Sequence, residues 1–307
     1  KKGNVPFGTL ATVSESPFQF GLIYTGSDDG LIHVTKDGGV SWKNITGNLP
    51  KGLWVSRVIA SKFKKERVYA TLNGYRSDDF TSYVYMSENY GETWENIGNN
   101  IPTSAVNVIK EDPKNEKLLY VGTDNGLYAT FDNGGSWHPF SHGFPNVAVH
   151  DLVIQEREGD LVVGTHGRSI FKANIATLQN FDTYRSKTTH IFTIDPIRSS
   201  PRWGSSWSQW SSPATPEVAI TVYSNSARKN TISVYAGKVL VNYFAVSLDK
   251  GFNTVKYDVS FSKSGKRDYE KATKKGELKA AQNGVYYLPK GKYTIKVGTE
   301  EQTLEVK

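Results

Sequence analysis

Three copies of one octapeptide pattern occur in the first half of the chain, and their spacing restricts the folds it can adopt. Each copy reads Ser/Thr-x-Asp/Asn-x-Gly-x-Ser/Thr-Trp, and the final tryptophans lie 52 and 43 residues apart. A motif that recurs at this period between strand-like segments is typical of the blades of a β-propeller. The copies are residues 35–42, 87–94 and 130–137.

The residue types of the motif indicate a structural turn. An aspartate or asparagine can accept hydrogen bonds from the backbone N–H groups just ahead of it, and the glycine can adopt a positive φ. The second copy has asparagine where the others have aspartate, which suits a hydrogen-bond acceptor but not a general acid or a nucleophile. We therefore predict a structural role for the acid or amide and the tryptophan of each copy: Asp37, Trp42, Asn89, Trp94, Asp132 and Trp137.

A second repeated element precedes the motif and defines the blades. Residues 24–32 match residues 120–128, and both read as a strand, a turn and a strand. The last unit has neither the motif nor a clear fourth strand, and open sheet edges are avoided in proteins. We therefore expect residues 1–180 to be an incomplete ring, completed by the rest of its own propeller or by a partner chain. The predicted blades are 7–50, 51–102, 103–145 and 146–180.

The second half of the chain has a different composition. Residues 181–216 are rich in serine, proline and tryptophan, and we interpret them as a connector. Residues 217–307 contain six short alternating segments, which predict a small immunoglobulin-like β-sandwich. The predicted fold class is therefore all-β: a partial propeller of about four blades, followed by a sandwich.

The octapeptide resembles the Asp-box, or BNR repeat, of sialidases, sortilin-like receptors and xyloglucanase-type glycoside hydrolases. Residues 164–171 (Gly-Thr-His-Gly-Arg-Ser-Ile-Phe) are similar to a signature of bacterial sortilin-like propeller proteins, which are often labelled glycosyl hydrolases. Residues 251–258 and 289–295 resemble two segments of the C-terminal module of those proteins, with Tyr257 in place of the usual tryptophan. This resemblance implies a bacterial protein that is secreted or displayed at the cell surface, in association with the outer membrane.

Composition excludes several kinds of site. The chain has no cysteine, so disulfides and thiolate metal sites are excluded, and no apolar stretch reaches the length of a transmembrane helix. The net charge of +7 comes from the second half, since residues 1–185 carry −2 and residues 186–307 carry +9. Many of the basic residues lie in segment 263–279, where acids are interspersed and aromatics are scarce. That pattern predicts a solvated loop or short helix and no nucleic-acid partner.

Carboxylates are the first candidates for catalytic residues, because a glycosidase needs a pair of them. Asp28 and Asp124 occupy equivalent positions in a repeated turn, which favours a role in turn geometry. Asp78 and Asp79 lie in the insertion 75–81, which is absent from the other copies, and such an insertion is typical of a ligand-binding loop. No histidine spacing indicates a metal, and no phosphate-binding or dinucleotide motif indicates a cofactor.

Two further groups complete the set of candidates. His166 and Arg168 replace the Asp-Asn-Gly turn of the repeat, where they can either stabilise the hairpin or hold an anionic or peptide ligand. The tryptophans at 203, 207 and 210 can stack on sugar rings or pack the connector against a domain. The predicted ligand-binding residues are Arg76, Asp78, Asp79, His166, Arg168, Trp203 and Trp207.

These observations favour a non-catalytic ligand-binding or scaffold segment that binds a peptide or a glycan. One alternative is a glycoside hydrolase whose catalytic carboxylates lie partly in missing blades. Another is an accessory subunit of an outer-membrane assembly, with the basic sandwich docked on a partner protein. A carboxylate pair in one cleft would favour the hydrolase, and a buried interface on the sandwich would favour the subunit.

Overall fold

β-Strands form nearly all the regular structure of the chain. The computed structural model describes residues 8–140, 143–208, 210–274 and 276–307. The chain divides between Phe181 and Asp182 into two units, each with its own hydrophobic core.

The first unit contains four antiparallel sheets that follow one another along the chain. In each sheet the hydrogen-bonded strands are neighbours in sequence. The first sheet comprises β1 (Leu10–Glu15), β2 (Ile23–Ser27), β3 (Ile32–Thr35) and β4 (Lys43–Asn44). The second comprises β5 (Trp54–Ala60), β6 (Val68–Gly74), β7 (Asp79–Ser87) and β8 (Glu95–Asn96). The third comprises β9 (Val106–Glu111), β10 (Leu119–Thr123), β11 (Gly126–Thr130) and β12 (Trp137–Pro139), and the fourth β13 (Val149–Gln155), β14 (Asp160–Thr165) and β15 (Ile170–Asn174).

Adjacent sheets pack face to face, in the manner of propeller blades. The first strands of consecutive sheets are neighbours: β1 contacts β5, β5 contacts β9, and β9 contacts β13. Each interface between sheets has its own apolar core, because the strands present β-branched and aromatic side chains to both sides. Buried residues of the three cores include Tyr24 with Val55, Tyr69 with Val106, and Tyr120 with Leu152.

Three short helical segments accompany these sheets. One turn of 3₁₀-helix (Tyr75–Ser77) lies between β6 and β7, α1 (Ala176–Gln179) follows β15, and a second 3₁₀ turn spans Phe181–Thr183. No helix in the described part of the chain is long and apolar enough to cross a membrane.

The second unit contains two antiparallel sheets around one core. The three-stranded sheet has the order β16–β17–β20, and the four-stranded sheet has the order β19–β18–β21–β22. Ile220 of the first sheet and Ile295 of the second are fully buried in the shared core. The strands are β16 (Thr189–Ile191), β17 (Val218–Ser224), β18 (Arg228–Ala236), β19 (Val239–Leu248), β20 (Gly251–Tyr257), β21 (Gly291–Val297) and β22 (Glu300–Val306).

Two features of this unit extend the sequence prediction. Segment 181–216, interpreted above as a connector, contributes β16, which pairs with β17. The basic segment forms α2 (Lys263–Thr273), which begins at Ser262, whose hydroxyl accepts a hydrogen bond from the Gly265 N–H at 3.0 Å.

Candidate functional site

In each sheet the turn between the second and third strands and the start of the first strand lie at the same edge. Because strand direction alternates, the turn between the second and third strands lies beside the start of the first strand. At this edge a backbone N–H of the turn donates to a carbonyl just before the first strand, in three of the four sheets. The pairs are Asp28 with Thr9 (3.0 Å), Asp124 with Ala105 (3.0 Å) and His166 with Ala148 (2.9 Å).

A cleft of about 380 Å³ opens at this edge, and residues from the second, third and fourth sheets line it. Its lining combines two aromatic rings, a guanidinium, amides, imidazoles and a carboxylate. The lining residues are Trp54, Asn73, Tyr75, Arg76, Asn107, Asp124, Ala148, His150 and His166.

The guanidinium of Arg76 is the principal cation at the cleft. Its Cζ atom lies 5.2 Å from the centroid of the Trp54 ring, a cation–π arrangement. Its carboxylate neighbour is Asp28, whose Oδ2 lies 3.9 Å from Nη1, beyond hydrogen-bond distance. Asp28 is itself held by two backbone N–H groups, those of Gly8 and Thr9, each at 2.8 Å from Oδ1. Within the described residues Arg76 therefore retains donors for a ligand, since a guanidinium has five N–H groups.

A chain of amide hydrogen bonds fixes the floor of the cleft. Asn73 donates to Asn107 Oδ1 at 2.9 Å, and Asn107 donates to Asp124 Oδ1 at 2.8 Å and to the Val149 carbonyl at 3.2 Å. Asn73 also accepts a hydrogen bond from the Tyr75 N–H at 2.9 Å. These bonds join the second, third and fourth sheets and hold the insertion in place.

Two histidines form the opposite wall. The imidazole rings of His150 and His166 have centroids 5.6 Å apart, and His166 is exposed. Each ring can donate or accept a hydrogen bond, depending on its tautomer. The cleft therefore presents a fixed cation, amides and two adaptable imidazoles to a bound group.

The remaining candidates of the first unit lie outside the lining. Asp79 accepts hydrogen bonds from the Thr81 N–H (3.0 Å) and the Tyr83 hydroxyl (2.9 Å), and the Thr81 hydrogen bond lowers the pKa of its carboxyl. Asp78 has φ 57° and ends the short 3₁₀ turn. Arg168 is exposed two residues beyond His166. Of the predicted residues, the structure thus brings only Arg76 and His166 into the cleft.

The Asp-box turns lie at the other edge of the sheets, between the third and fourth strands. In the first copy Asp37 accepts hydrogen bonds from the N–H (2.9 Å) and the hydroxyl (2.5 Å) of Ser41, and these bonds lower the pKa of Asp37 to about 2. Asn89 accepts from the Thr93 N–H at 3.0 Å, and Asp132 accepts from the Ser136 N–H at 2.8 Å.

The tryptophan candidates lie in the second unit. Trp203 packs edge-on against Tyr287, with ring centroids 5.8 Å apart, whereas Trp207 is 93% exposed and Trp210 is 88% exposed. A cleft of about 330 Å³ in the same unit is lined by residues 215–217, 242, 244 and 256–258.

Several residues of the first-unit cleft were not among the predicted ligand-binding residues. Trp54, Asn107 and His150 stand at the starts of β5, β9 and β13, and Asp124 was assigned to turn geometry. An alignment of the first strands of the blades, in addition to the boxes, is the signal that would have found them. Among the described residues, no three His, Asp or Glu side chains converge as metal ligands.

The chain is similar to one protein family and to several solved structures. Residues 82–195 match the family model for sortilin, neurotensin receptor 3. The GH74 xyloglucanase from Xanthomonas campestris is similar over 97% of this chain and 47% of its own, with 10% identity and a TM-score of 0.46. A structure of YCF48 bound to D1 peptide is similar over 56% of this chain and 52% of its own, with 16% identity and a TM-score of 0.42.

The chain therefore spans about half the length of these solved structures. No curated protein sequence matches it. The packing of consecutive antiparallel sheets gives the first unit a propeller-like architecture with Asp-box turns, and the sortilin-like match covers residues 82–195 of the chain.

Proposed function

We propose that this chain is a non-catalytic ligand-binding segment of a secreted or cell-surface bacterial propeller protein. The cleft of the first unit binds a peptide or a glycan through an anionic group, and the second unit is an immunoglobulin-like module. The observation that carries the proposal is the Arg76 guanidinium, which stacks on Trp54 at the cleft with donors to spare.

The chemistry of the cleft supports an anionic ligand. A guanidinium held against an aromatic face is oriented before a ligand arrives, so less side-chain entropy is lost on binding. A carboxylate can take two parallel hydrogen bonds from it. The imidazoles of His150 and His166 lie in the same lining and suit the polar groups of a peptide backbone, while the buried amides of Asn73 and Asn107 hold the floor of the cleft.

The glycoside hydrolase alternative requires a second carboxylate opposite Asp124. A pair must lie about 5–10 Å apart across the scissile bond. Asp28 occupies the equivalent position in the first sheet, but its side chain is only 9% exposed and accepts hydrogen bonds from two backbone N–H groups. The contacts of Asp28 therefore support a structural role and, with it, the binding function.

The test is a binding screen with peptides and oligosaccharides. Each peptide is used with a free C-terminal carboxylate and as its amide, and the oligosaccharides include uronic acids. We expect the free carboxylates to bind more tightly, and Arg76→Gln to weaken them by about tenfold or more, as for loss of a charge-assisted hydrogen bond.

The control is Arg157→Gln, which removes the same charge from an exposed position on the turn between β13 and β14. Equal affinity of wild type and Arg76→Gln for every ligand found would overturn the proposal. Hydrolysis of a glycan that is abolished by Asp124→Asn would establish the alternative.

A further inference from the structure

A closed loop of the second unit holds two tryptophans in solvent. The Gly204 N–H donates to the Ala214 carbonyl at 2.8 Å, and the Ala214 N–H donates to the Ser205 carbonyl at 2.9 Å, so the ends of the loop are pinned together. Trp207 is 93% exposed and Trp210 is 88% exposed. Two tryptophans so close together and so fully exposed carry a large solvation cost unless a partner covers them.

The composition of this tryptophan loop, residues 204–214, fits an apolar partner. The chain has no charged residue from 203 to 216. The serines satisfy one another, because the Ser208 N–H donates to Ser211 Oγ at 2.9 Å and Ser211 Oγ donates to the Ser208 carbonyl at 3.0 Å. The loop can therefore leave bulk water without a charge to desolvate. Tryptophan is the side chain enriched where hydrocarbon meets water at a membrane surface.

A basic stripe runs along the outer face of α2. Lys263, Arg267 and Lys271 are spaced by four residues, which places them on one side of α2, and Lys274 follows at the C-cap of the helix. All four are exposed, and within the described residues the three lysines have no carboxylate partner. Gly265 lies on the opposite side, where an added Cβ would stand 1.9 Å from the Val241 carbonyl oxygen of β19. The sheet therefore covers the opposite face, and the basic stripe is left to solvent.

The segment that follows the basic helix is hydrogen-bonded to the base of the tryptophan loop. The basic segment continues from α2 to Lys279 and enters a turn in which the Gly284 N–H donates to the Ala281 carbonyl at 2.9 Å. In that turn the Asn283 N–H donates to the Gly204 carbonyl at 3.1 Å. The base of the loop is therefore bonded to the segment that follows the basic helix.

We infer that the second unit docks on a membrane surface rich in anionic lipid. Trp207 and Trp210 enter the headgroup region, and the stripe on α2 lies over the anionic headgroups. Residues 182–307 carry 20 basic and 11 acidic side chains, a net charge of +9 that complements such a surface. Binding at a membrane surface increases with the apolar area buried and with the attraction to anionic lipid, so the loop and the stripe both contribute.

Vesicle binding by the 307-residue chain tests this inference. The probes are vesicles of phosphatidylglycerol mixed with phosphatidylcholine and vesicles of phosphatidylcholine alone. We expect flotation with the anionic vesicles, release by salt, and quenching of tryptophan fluorescence by brominated lipid. Trp207→Ser with Trp210→Ser is expected to weaken the partition by about tenfold or more and to remove the quenching. Lys263→Gln, Lys271→Gln and Lys274→Gln together are expected to weaken it by about fivefold per charge.

Two control variants test whether the loss of any exposed aromatic side chain, or of any three lysine charges, weakens vesicle binding. Phe20→Ser removes an aromatic side chain that is 94% exposed in the first unit, and Lys229→Gln, Lys238→Gln and Lys250→Gln remove three exposed charges elsewhere in the second. Both controls are expected to keep most of the binding. The inference is overturned if wild type ignores anionic vesicles, or if the tryptophan variant binds them as well as wild type does. The inference is also overturned if Trp207 and Trp210 are needed for retention on an immobilised polysaccharide but not for binding to vesicles.

Discussion

The indole N–H of Trp94 donates to the backbone carbonyl of Ile45 at 2.8 Å, across the interface between the first two sheets. Gly91 of the same box packs directly on Ile45, where a Cβ would meet the isoleucine side chain at 2.3 Å. The third box repeats the relationship, since Trp137 donates to the Ile97 carbonyl at 2.6 Å. The second and third boxes therefore lock their own turns and also fasten their blades to the preceding ones.

Trp42 provides a built-in comparison for this bond. Its ring is 46% exposed, against 5% for Trp94, and the described residues offer its indole no hydrogen-bond acceptor. We expect Trp94→Phe to lower the free energy of unfolding of the first unit by about 2–3 kcal/mol, because a buried carbonyl loses its donor and a void remains. Trp42→Phe is expected to cost less than about 1 kcal/mol. Urea denaturation of both variants checks this, and equal costs would refute the fastening role of Trp94.

Glycine in the second strand of a blade makes room for the following blade. At Gly122 an added Cβ would lie 2.5 Å from Val149 and 2.7 Å from Val108, whereas at the equivalent Gly164 the nearest atom is 3.6 Å away. We expect Gly122→Ala to destabilise the first unit by about 1–3 kcal/mol through overpacking. Gly164→Ala is expected to be neutral or slightly stabilising, since alanine restricts the unfolded chain. Thermal unfolding of the two variants distinguishes steric crowding from a general intolerance of alanine.

The Asp-box gives the first unit a defined response to acid. Partial burial raises the pKa of Asp132, but hydrogen bonds from Thr130 and Ser136 outweigh it and hold the pKa below the ordinary value. A carboxyl with a depressed folded-state pKa stabilises the fold above its unfolded pKa of about 4, and that stability is lost as the pH falls through the folded-state pKa. We expect Asp132→Asn to fold, as Asn89 does in the second copy, and to lose less stability between neutral and acidic pH. An unchanged pH profile of unfolding in this variant would contradict the assignment.

The repeat in the sequence was sufficient to predict the blades, because each of its parts has a local physical cause. The turn residues and the period-two apolar segments fix strands wherever they occur, and each predicted blade contains one sheet. The six predicted strands of the second unit are found for the same reason. β16 was missed because its three residues become a strand only by pairing with β17.

The cleft was harder to predict, since its residues come from different copies of the repeat. The insertion drew attention to Arg76, and the divergent turn drew attention to His166. Trp54, which orients Arg76, begins a first strand and carries no local signal of its role. Asp79 looked like a free carboxylate in sequence but accepts two hydrogen bonds within its own hairpin. Which polar residues remain available to a ligand depends on tertiary contacts.

The side chain of Asn100 also contacts the third box, through hydrogen bonds that are distinct from the indole bond of Trp137. Its amide brackets the backbone of Trp137, with Oδ1 accepting the N–H at 2.8 Å and Nδ2 donating to the carbonyl at 2.9 Å. We expect Asn100→Ala to cost about 1–2 kcal/mol in urea denaturation, because both backbone groups lose their partner. Asn99→Ala is the control, since the side chain of Asn99 is exposed and makes a single long bond of 3.4 Å. If Asn100→Ala proves as mild as Asn99→Ala, water satisfies the Trp137 backbone and the Asn100 side chain does not fasten the third box to the second blade.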